Sequence, residues 1–372
     1  MVIKVLYIGG IFMKILFRVL KIIKWGLISL AGLLICLFIV IMISRGVNQS
    51  KFKITGENSI SESSYILIGG VEQFIQIRGK NKNNPVILFL HGGPGQTMPY
   101  ISYYFQQYLI NNFTFVSWDQ RGSGRTYYRN QSENYNITMD ILMQNLDELV
   151  QYLKQRFEQE QIIIMGHSWG TVLGIEYIKY YSENVSNYIG IGQAINNESD
   201  LFLGRKAIEI AIEKNNTNDI AELEKLLNEY EPSNMDNYFN LRQLISKYLG
   251  AENKTYFKLF WKSFTSPDLE FIDLKWFMNT MTSYDMVFTM FSSLLDFLFE
   301  FNAYDFLTEN NVSMAFITGS DDWITPMEMA RDYYNVLENE NKRFIAMEGI
   351  GHFPFINNPK LFSDIVLDIL KN

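Results

Sequence analysis

Residues 161–174 read Gln-Ile-Ile-Ile-Met-Gly-His-Ser-Trp-Gly-Thr-Val-Leu-Gly and constrain the fold more than any other stretch. The β-branched run Ile162 to Met165 has the character of a buried strand. It stops at Gly166, and a helical pattern of Val172, Leu173, Ile175 and Ile178 begins a few residues later. The junction, Gly166-His167-Ser168-Trp169-Gly170, is a G-x-S-x-G. So abrupt a strand-to-helix turn strains the central residue, and the two glycines remove side chains that would clash around it. The Ser168 hydroxyl is expected at the helix N-terminus, where partial positive charge favours a developing anion. Ser168 is a candidate nucleophile. Five residues match by accident often enough that the rest of the chain must supply a base, an acid and donors for an oxyanion.

Two stretches carry the first donors and the acid. His91-Gly92-Gly93-Pro94-Gly95 ends the apolar run Val86 to Leu90, and glycines at a strand end let backbone N–H groups approach a ligand closely. Gly93 is the expected oxyanion donor from this loop, with the N–H of Trp169, just after the serine, as the second. Gly92 is a candidate for substrate contact. Gly319-Ser320-Asp321-Asp322-Trp323-Ile324-Thr325-Pro326 follows another strand and holds two adjacent candidate acids, Asp321 and Asp322.

The base emerges by elimination. The chain has three histidines. His91 lies in the glycine loop, and His167 adjoins Ser168, where neighbours on a sharp turn point apart, so His167 is expected to be a buried support. His352 remains, in the loop Gly349-Ile350-Gly351-His352-Phe353-Pro354. The order nucleophile, acid, base is the one in which Ser168 attacks a carbonyl, His352 takes its proton and the acid fixes the imidazole tautomer.

The strands Val86–Leu90, Phe113–Trp118, Ile162–Met165 and Tyr188–Ile191 are continuous apolar runs, as in a mostly parallel sheet covered on both faces. A hairpin over Tyr65–Ile68 and Phe74–Ile77 precedes them, and a helix capped by Thr138 lies between. Strands alternating with helices predict an α/β sheet. The rhythm changes after Gln193: residues 196–303 read as helices rich in aromatics, and strands resume at Val312–Ile317 and Lys342–Met347. A helical insert between two α/β segments is expected to form a lid over the strand C-termini.

Gly26 to Ser44 is 19 residues without a charge, enough to cross a bilayer as a helix. Lys14, Arg18, Lys21 and Lys24 precede it, which puts the N-terminus in the cytoplasm. No convincing cleavage site follows, so an uncleaved signal anchor with the body outside the cytoplasmic membrane is favoured over a cleaved signal peptide. Met13 starts an ordinary signal-anchor sequence, and codons for Ile8–Phe12 would match a ribosome-binding site, so Met13 is an alternative start. Beyond residue 45 the chain carries 26 basic and 40 acidic residues, a surface that does not invite nucleic acid. The single cysteine, Cys36, excludes a disulfide within the chain and cysteine-based metal sites, and no cofactor or metal is called for. The expected organisation is 1–25 cytoplasmic, 26–44 anchor, 45–195 and 304–372 α/β core, and 196–303 cap.

His91–Gly95, Trp118-Asp119-Gln120-Arg121-Gly122-Ser123-Gly124-Arg125-Thr126 and Gly166–Gly170 together resemble the prolyl aminopeptidase (proline iminopeptidase) family of α/β-hydrolases. The likeness spans about 61–193 and 312–372. It implies the α/β-hydrolase fold with a helical cap. In that family the acid lies three residues after a glycine and four before a proline, which selects Asp322. The resemblance further implies a bracing role for Asp119, Arg121 and Arg125, and lid acids that hold a free α-amine, for which Glu198 is a candidate. His167 departs from the glycine common in the family. The expected activity is a serine hydrolase releasing N-terminal proline or another residue from short peptides, with an esterase or lipase-like hydrolase as the alternative. A non-catalytic binding protein of this fold would be expected to have lost part of the constellation, and every part is present.

Overall fold

The structure, a computed structural model, describes residues 2–131, 137–231, 234–250, 253–307 and 312–371. It divides into two units, Met1–Lys51 and Phe52–Asn372. The first is one helix, α1 (Val2–Lys51). Within it Phe17–Lys51 is long and apolar enough to cross a membrane. The helix runs past the expected span into the polar residues after Ser44, because nothing from Arg45 to Lys51 except Gly46 disfavours it.

In the second unit eight strands form one sheet among the described residues: β1 (Ile60–Ile68), β2 (Val71–Gly79), β3 (Val86–Leu90), β4 (Thr114–Trp118), β5 (Ile162–His167), β6 (Val185–Ile191), β7 (Ser313–Gly319) and β8 (Lys342–Met347). Their order is β1-β2-β4-β3-β5-β6-β7-β8. The first two form the expected antiparallel hairpin, β2 pairs antiparallel with β4, and all later neighbours are parallel. Alternate residues of each apolar strand serve opposite faces. Leu88 and Ile164 join the core under α3 (Gly124–Arg129), α4 (Met139–Phe157) and α5 (Trp169–Tyr181), whereas Phe89 and Met165 pack under α2 (Pro99–Gln106). This is why those strands read as unbroken apolar runs. Thr138 caps α4 as expected, its hydroxyl accepting the N–H of Ile141 at 3.3 Å.

Between β6 and β7 the described residues form six α-helices: α6 (Ser199–Glu213), α7 (Thr217–Asn228), α8 (Met235–Leu249), α9 (Asn253–Phe264), α10 (Phe271–Thr282) and α11 (Tyr284–Glu300). The first three share a small core of their own around Leu203, Leu223 and Leu241. The last helices are α12 (Met327–Val336), α13 (Pro354–Asn357) and α14 (Pro359–Ile369).

The topology decides where a site can lie. From β3 the chain goes to β4 on one side and then to β5 on the other. Loops leaving the C-terminal ends of β3 and β5 therefore part company there and leave a crevice, the usual ligand position in such a sheet.

Candidate active site

Ser168 sits at that crevice, between the end of β5 and the start of α5, with φ 53° and ψ −120°. Its N–H donates to Ile191 O at 3.0 Å, which fixes the turn to the neighbouring strand. Both flanking glycines are obligatory. A Cβ on Gly166 would lie 2.4 Å from Gly170 O, and one on Gly170 only 2.1 Å from Leu90 O. The strained serine persists because its surroundings leave no room for relaxation.

His352 and Asp322 arrive from β8 and β7. His352 Nδ1 lies 2.8 Å from Asp322 Oδ2, and both side chains are buried. The neutral ring therefore carries its proton on Nδ1 and donates it to the carboxylate. Asp322 also accepts the N–H groups of Ile324 and Thr325, each at 2.9 Å, and the Thr325 hydroxyl at 2.8 Å. Burial alone would raise this carboxyl; the His352 ring and those N–H groups outweigh it and hold the group below the usual aspartate range. Asp321 is exposed and bonds Ser320 instead. The geometry thus pairs His352 with Asp322 and leaves Asp321 aside.

His167 is buried, and its Nε2–H donates to His352 O at 2.9 Å. It holds the loop that carries His352, in keeping with the expected supporting role. Burial, followed by the nearby His352 ring, pushes the His167 imidazole down to about 3, so it stays neutral.

The glycine loop after β3 closes over the serine. A Cβ on Gly92 would lie 3.2 Å from Ser168 Cβ. Gly92 O accepts the Gln96 N–H at 3.1 Å and pairs with His91 Nδ1 at 2.8 Å. His91 Nε2 accepts the Gln120 N–H at 3.3 Å, which assigns the ring proton to Nδ1. With Gly92 O held on that side, the N–H of Gly93 points to the other, because the two lie opposed across a planar trans peptide. Trp169 is the first residue of α5, so its N–H has no intrahelical acceptor. Gln120 links the glycine loop to the Trp169 side chain: its Nε2 donates to His91 O at 3.4 Å and its Oε1 accepts Trp169 Nε1–H at 3.2 Å. In the sequence Gln120 reads only as part of a bracing motif; nothing local distinguishes it, since its partners lie 29 and 49 residues away.

Asp119 and Arg125 do brace. Arg125 N–H donates to Asp119 Oδ2 at 2.9 Å, and its buried guanidinium grips Asp273 of α10 through Nε and Nη2 at 2.8 and 2.7 Å. Glu270 takes a third N–H at 2.8 Å. Arg121 donates to Gly69 O at 3.0 Å. Glu198, the candidate amine contact, is exposed at the N-cap of α6.

A cavity of about 650 Å³ opens beside the glycine loop. Gly93 to Met98 and Tyr100 form one wall, and Leu269 and side chains of α8 to α11 form the rest. Neither Ser168 nor Glu198 belongs to that wall. Its aromatic residues stand in the sequence as a crowd without a place. Among the described residues no group of three or more His, Cys, Asp or Glu could hold a metal ion.

Residues 85–359 match the α/β-hydrolase fold family, and the chain belongs to it. It is 27% identical over 315 residues to the probable aminopeptidase YbaC of Bacillus subtilis (strain 168), covering 83% of this chain and 96% of that protein. A proline iminopeptidase of Flavobacterium johnsoniae is 27% identical over 123 residues, 33% of this chain and 39% of its own. Among solved structures, a proline iminopeptidase-related protein from Thermus thermophilus superposes with a TM-score of 0.58 at 19% identity, over 84% of this chain and 98% of that one. An esterase from Exiguobacterium antarcticum gives 0.52 at 15% identity, over 84% and 100%. These two likenesses show the fold alone.

Proposed function

We propose that this α/β-hydrolase is a serine hydrolase that works through an acyl-enzyme. Ser168 Oγ attacks the substrate carbonyl, and His352 Nε2 takes its proton. Asp322 keeps the ring proton on Nδ1 and stabilises the imidazolium. The N–H groups of Gly93 and Trp169 receive the oxyanion, where fixed dipoles stabilise developing charge without reorganising. His352 then gives its proton to the leaving group, and a water deprotonated by the same ring hydrolyses the acyl-enzyme. The 2.8 Å contact between His352 and Asp322, beside a serine with φ 53°, carries this reading.

The names of the relatives support an aminopeptidase that releases N-terminal proline or another residue from short peptides. On that reading Gly92 lines the approach to Ser168, and Glu198 is the contact for a free α-amine. A second reading, ester hydrolysis, is favoured by the aromatic cavity beside the glycine loop. The proposed organisation keeps residues 196–303 as a cap over the site. It keeps residues 26–44 as a membrane anchor with Phe52–Asn372 outside the cytoplasm; a helix of sufficient length with basic residues before it supports this.

Fluorophosphonate labelling of the wild-type chain and of Ser168→Ala tests the mechanism, followed by a panel of aminoacyl anilides and short esters. Labelling that persists in the alanine variant would sink the assignment of Ser168. Protease protection in intact cells and inverted vesicles tests the orientation.

A further inference from the structure

The cavity beside the glycine loop is chemically uniform. The rings of Phe260 and Phe264 on α9, Trp276 and Phe277 on α10, and Phe288 and Phe291 on α11 face it. Several polar groups in its otherwise largely apolar wall are spent within the protein. Trp276 Nε1–H donates to Gly95 O at 2.8 Å, Ser263 Oγ to Leu259 O at 2.8 Å, and Thr280 Oγ1 to Phe277 O at 3.0 Å. Asp273 is the one carboxylate among the described residues of the wall, and both its oxygens are held by Arg125. A free ammonium entering here would lose its hydration and find no uncommitted counter-charge.

Size points the same way. About 650 Å³ is room for on the order of twenty water- or methylene-sized groups. The space also begins near the reacting centre: a Cβ on Gly92 would come within 3.2 Å of Ser168 Cβ, and the following residue, Gly93, is already cavity wall.

We propose that the cavity holds the substrate's apolar part, so that the site acts on esters or amides bearing one large uncharged group. That group is a chain of about eight carbons or an aryl group of similar bulk, in the order of size the cavity admits. The assignment rests on Ser168 being the nucleophile. The large group is attached either to the carbonyl or to the leaving oxygen, and two substrate series separate these cases.

The experiment uses the full chain in a non-ionic detergent. One series is p-nitrophenyl esters from acetate to octanoate, and the other is acetate esters from ethyl to octyl. In one series kcat/KM is expected to rise by up to about fourfold per added methylene, the equivalent of burying that group. Prolyl p-nitroanilide should fall well below the octyl member. Ser263→Trp and Thr280→Trp, on different helices, narrow the cavity and should lower the octyl-to-short ratio at least tenfold. Calorimetry with 2-decanone, an uncleavable ketone, on Ser168→Ala protein reads occupancy without turnover, and the tryptophan substitutions should weaken it likewise. A flat response in both series, a preference for the prolyl anilide, or no 2-decanone binding overturns the proposal. Those results leave the nucleophile untouched if fluorophosphonate still labels Ser168. Hydrolysis undiminished in Ser168→Ala would instead remove the nucleophile, whatever the chain-length preference.

Discussion

Asp322 and His352 each have a neighbour of the same type that the geometry sets aside, Asp321 and His167, and with Ser168 they allow sharp predictions. Ser168→Ala should lower turnover by about 10⁴-fold or more, and Asp322→Asn by roughly 10⁴-fold through the wrong imidazole tautomer. Asp321→Asn should stay within a few-fold of wild type, because Asp321 is exposed and does not face His352. Steady-state rates on one good substrate check all three, and an equal loss in both aspartate variants would contradict the pairing. Asp321 and Asp322 are indistinguishable from the residues themselves; spacing to Gly319 and Pro326 favours Asp322, and only the fold brings its carboxylate to the ring. Gly170 offers a test of the turn. With a Cβ 2.1 Å from Leu90 O, Gly170→Ala should yield insoluble or unfolded protein, read by solubility and circular dichroism.

At the scale of elements, the two proposed oxyanion donors lie on a loop after β3 and a helix after β5, 76 residues apart in number, and Gln120 links that loop to the Trp169 side chain. Gln120→Met should lower kcat by about ten- to a hundredfold with KM little changed, somewhat less than deleting a donor outright. A rise in KM alone would point to substrate contact instead. The second bridge is Arg125 to Asp273, which fastens α10 to the loop after β4. Asp273→Asn leaves a buried guanidinium short of a partner and should destabilise the protein by about 3–5 kcal/mol. Arg125→Met combined with Asp273→Leu should recover much of that loss, as seen in denaturant midpoints. The helices α9 and α10 show why such contacts escape a linear reading. Their cavity-facing residues keep helical spacing, Tyr256, Leu259, Phe260, Ser263 and Phe264 on α9, but a stripe facing a cavity reads in sequence like one facing a core.

For the whole molecule, buried titratable groups make stability depend on pH with opposing signs. Burial pushes His91 down to about 4 and His167 to about 3. Both are neutral when folded but charge near pH 6.5 when unfolded, so below that value the unfolded chain binds more protons and stability falls as the pH drops. Asp119 behaves oppositely. Burial raises its carboxyl to about 8, so it keeps a proton that the unfolded chain releases near pH 4. Its share of stability is full below pH 4 and is lost as the pH climbs to 8. Denaturant midpoints from pH 4 to 9 should lose their acid-side slope in His167→Gln and their neutral-to-alkaline decline in Asp119→Asn. Unchanged slopes in both variants would contradict the burial argument.

Through its resemblance to a known family the sequence pointed to the α/β-hydrolase fold; by itself it determined an α/β sheet, the order of the strands along the chain and the turn around Ser168. These rest on local rules: apolar runs, glycine positions and a strand-to-helix change within a few residues. It also made His352 the base, because the chain holds few enough histidines to exhaust. Tertiary structure alone decided how Gln120 joins two distant segments and what the aromatic residues of the inserted helices enclose, and it brought to the His352 ring the aspartate that the family resemblance selects. Those outcomes depend on contacts between residues tens to hundreds of positions apart, and neither periodicity nor composition records them. Ser168 was legible as a candidate nucleophile from a five-residue motif together with its strand-to-helix context. The large apolar space beside it was not, because it belongs to no single segment.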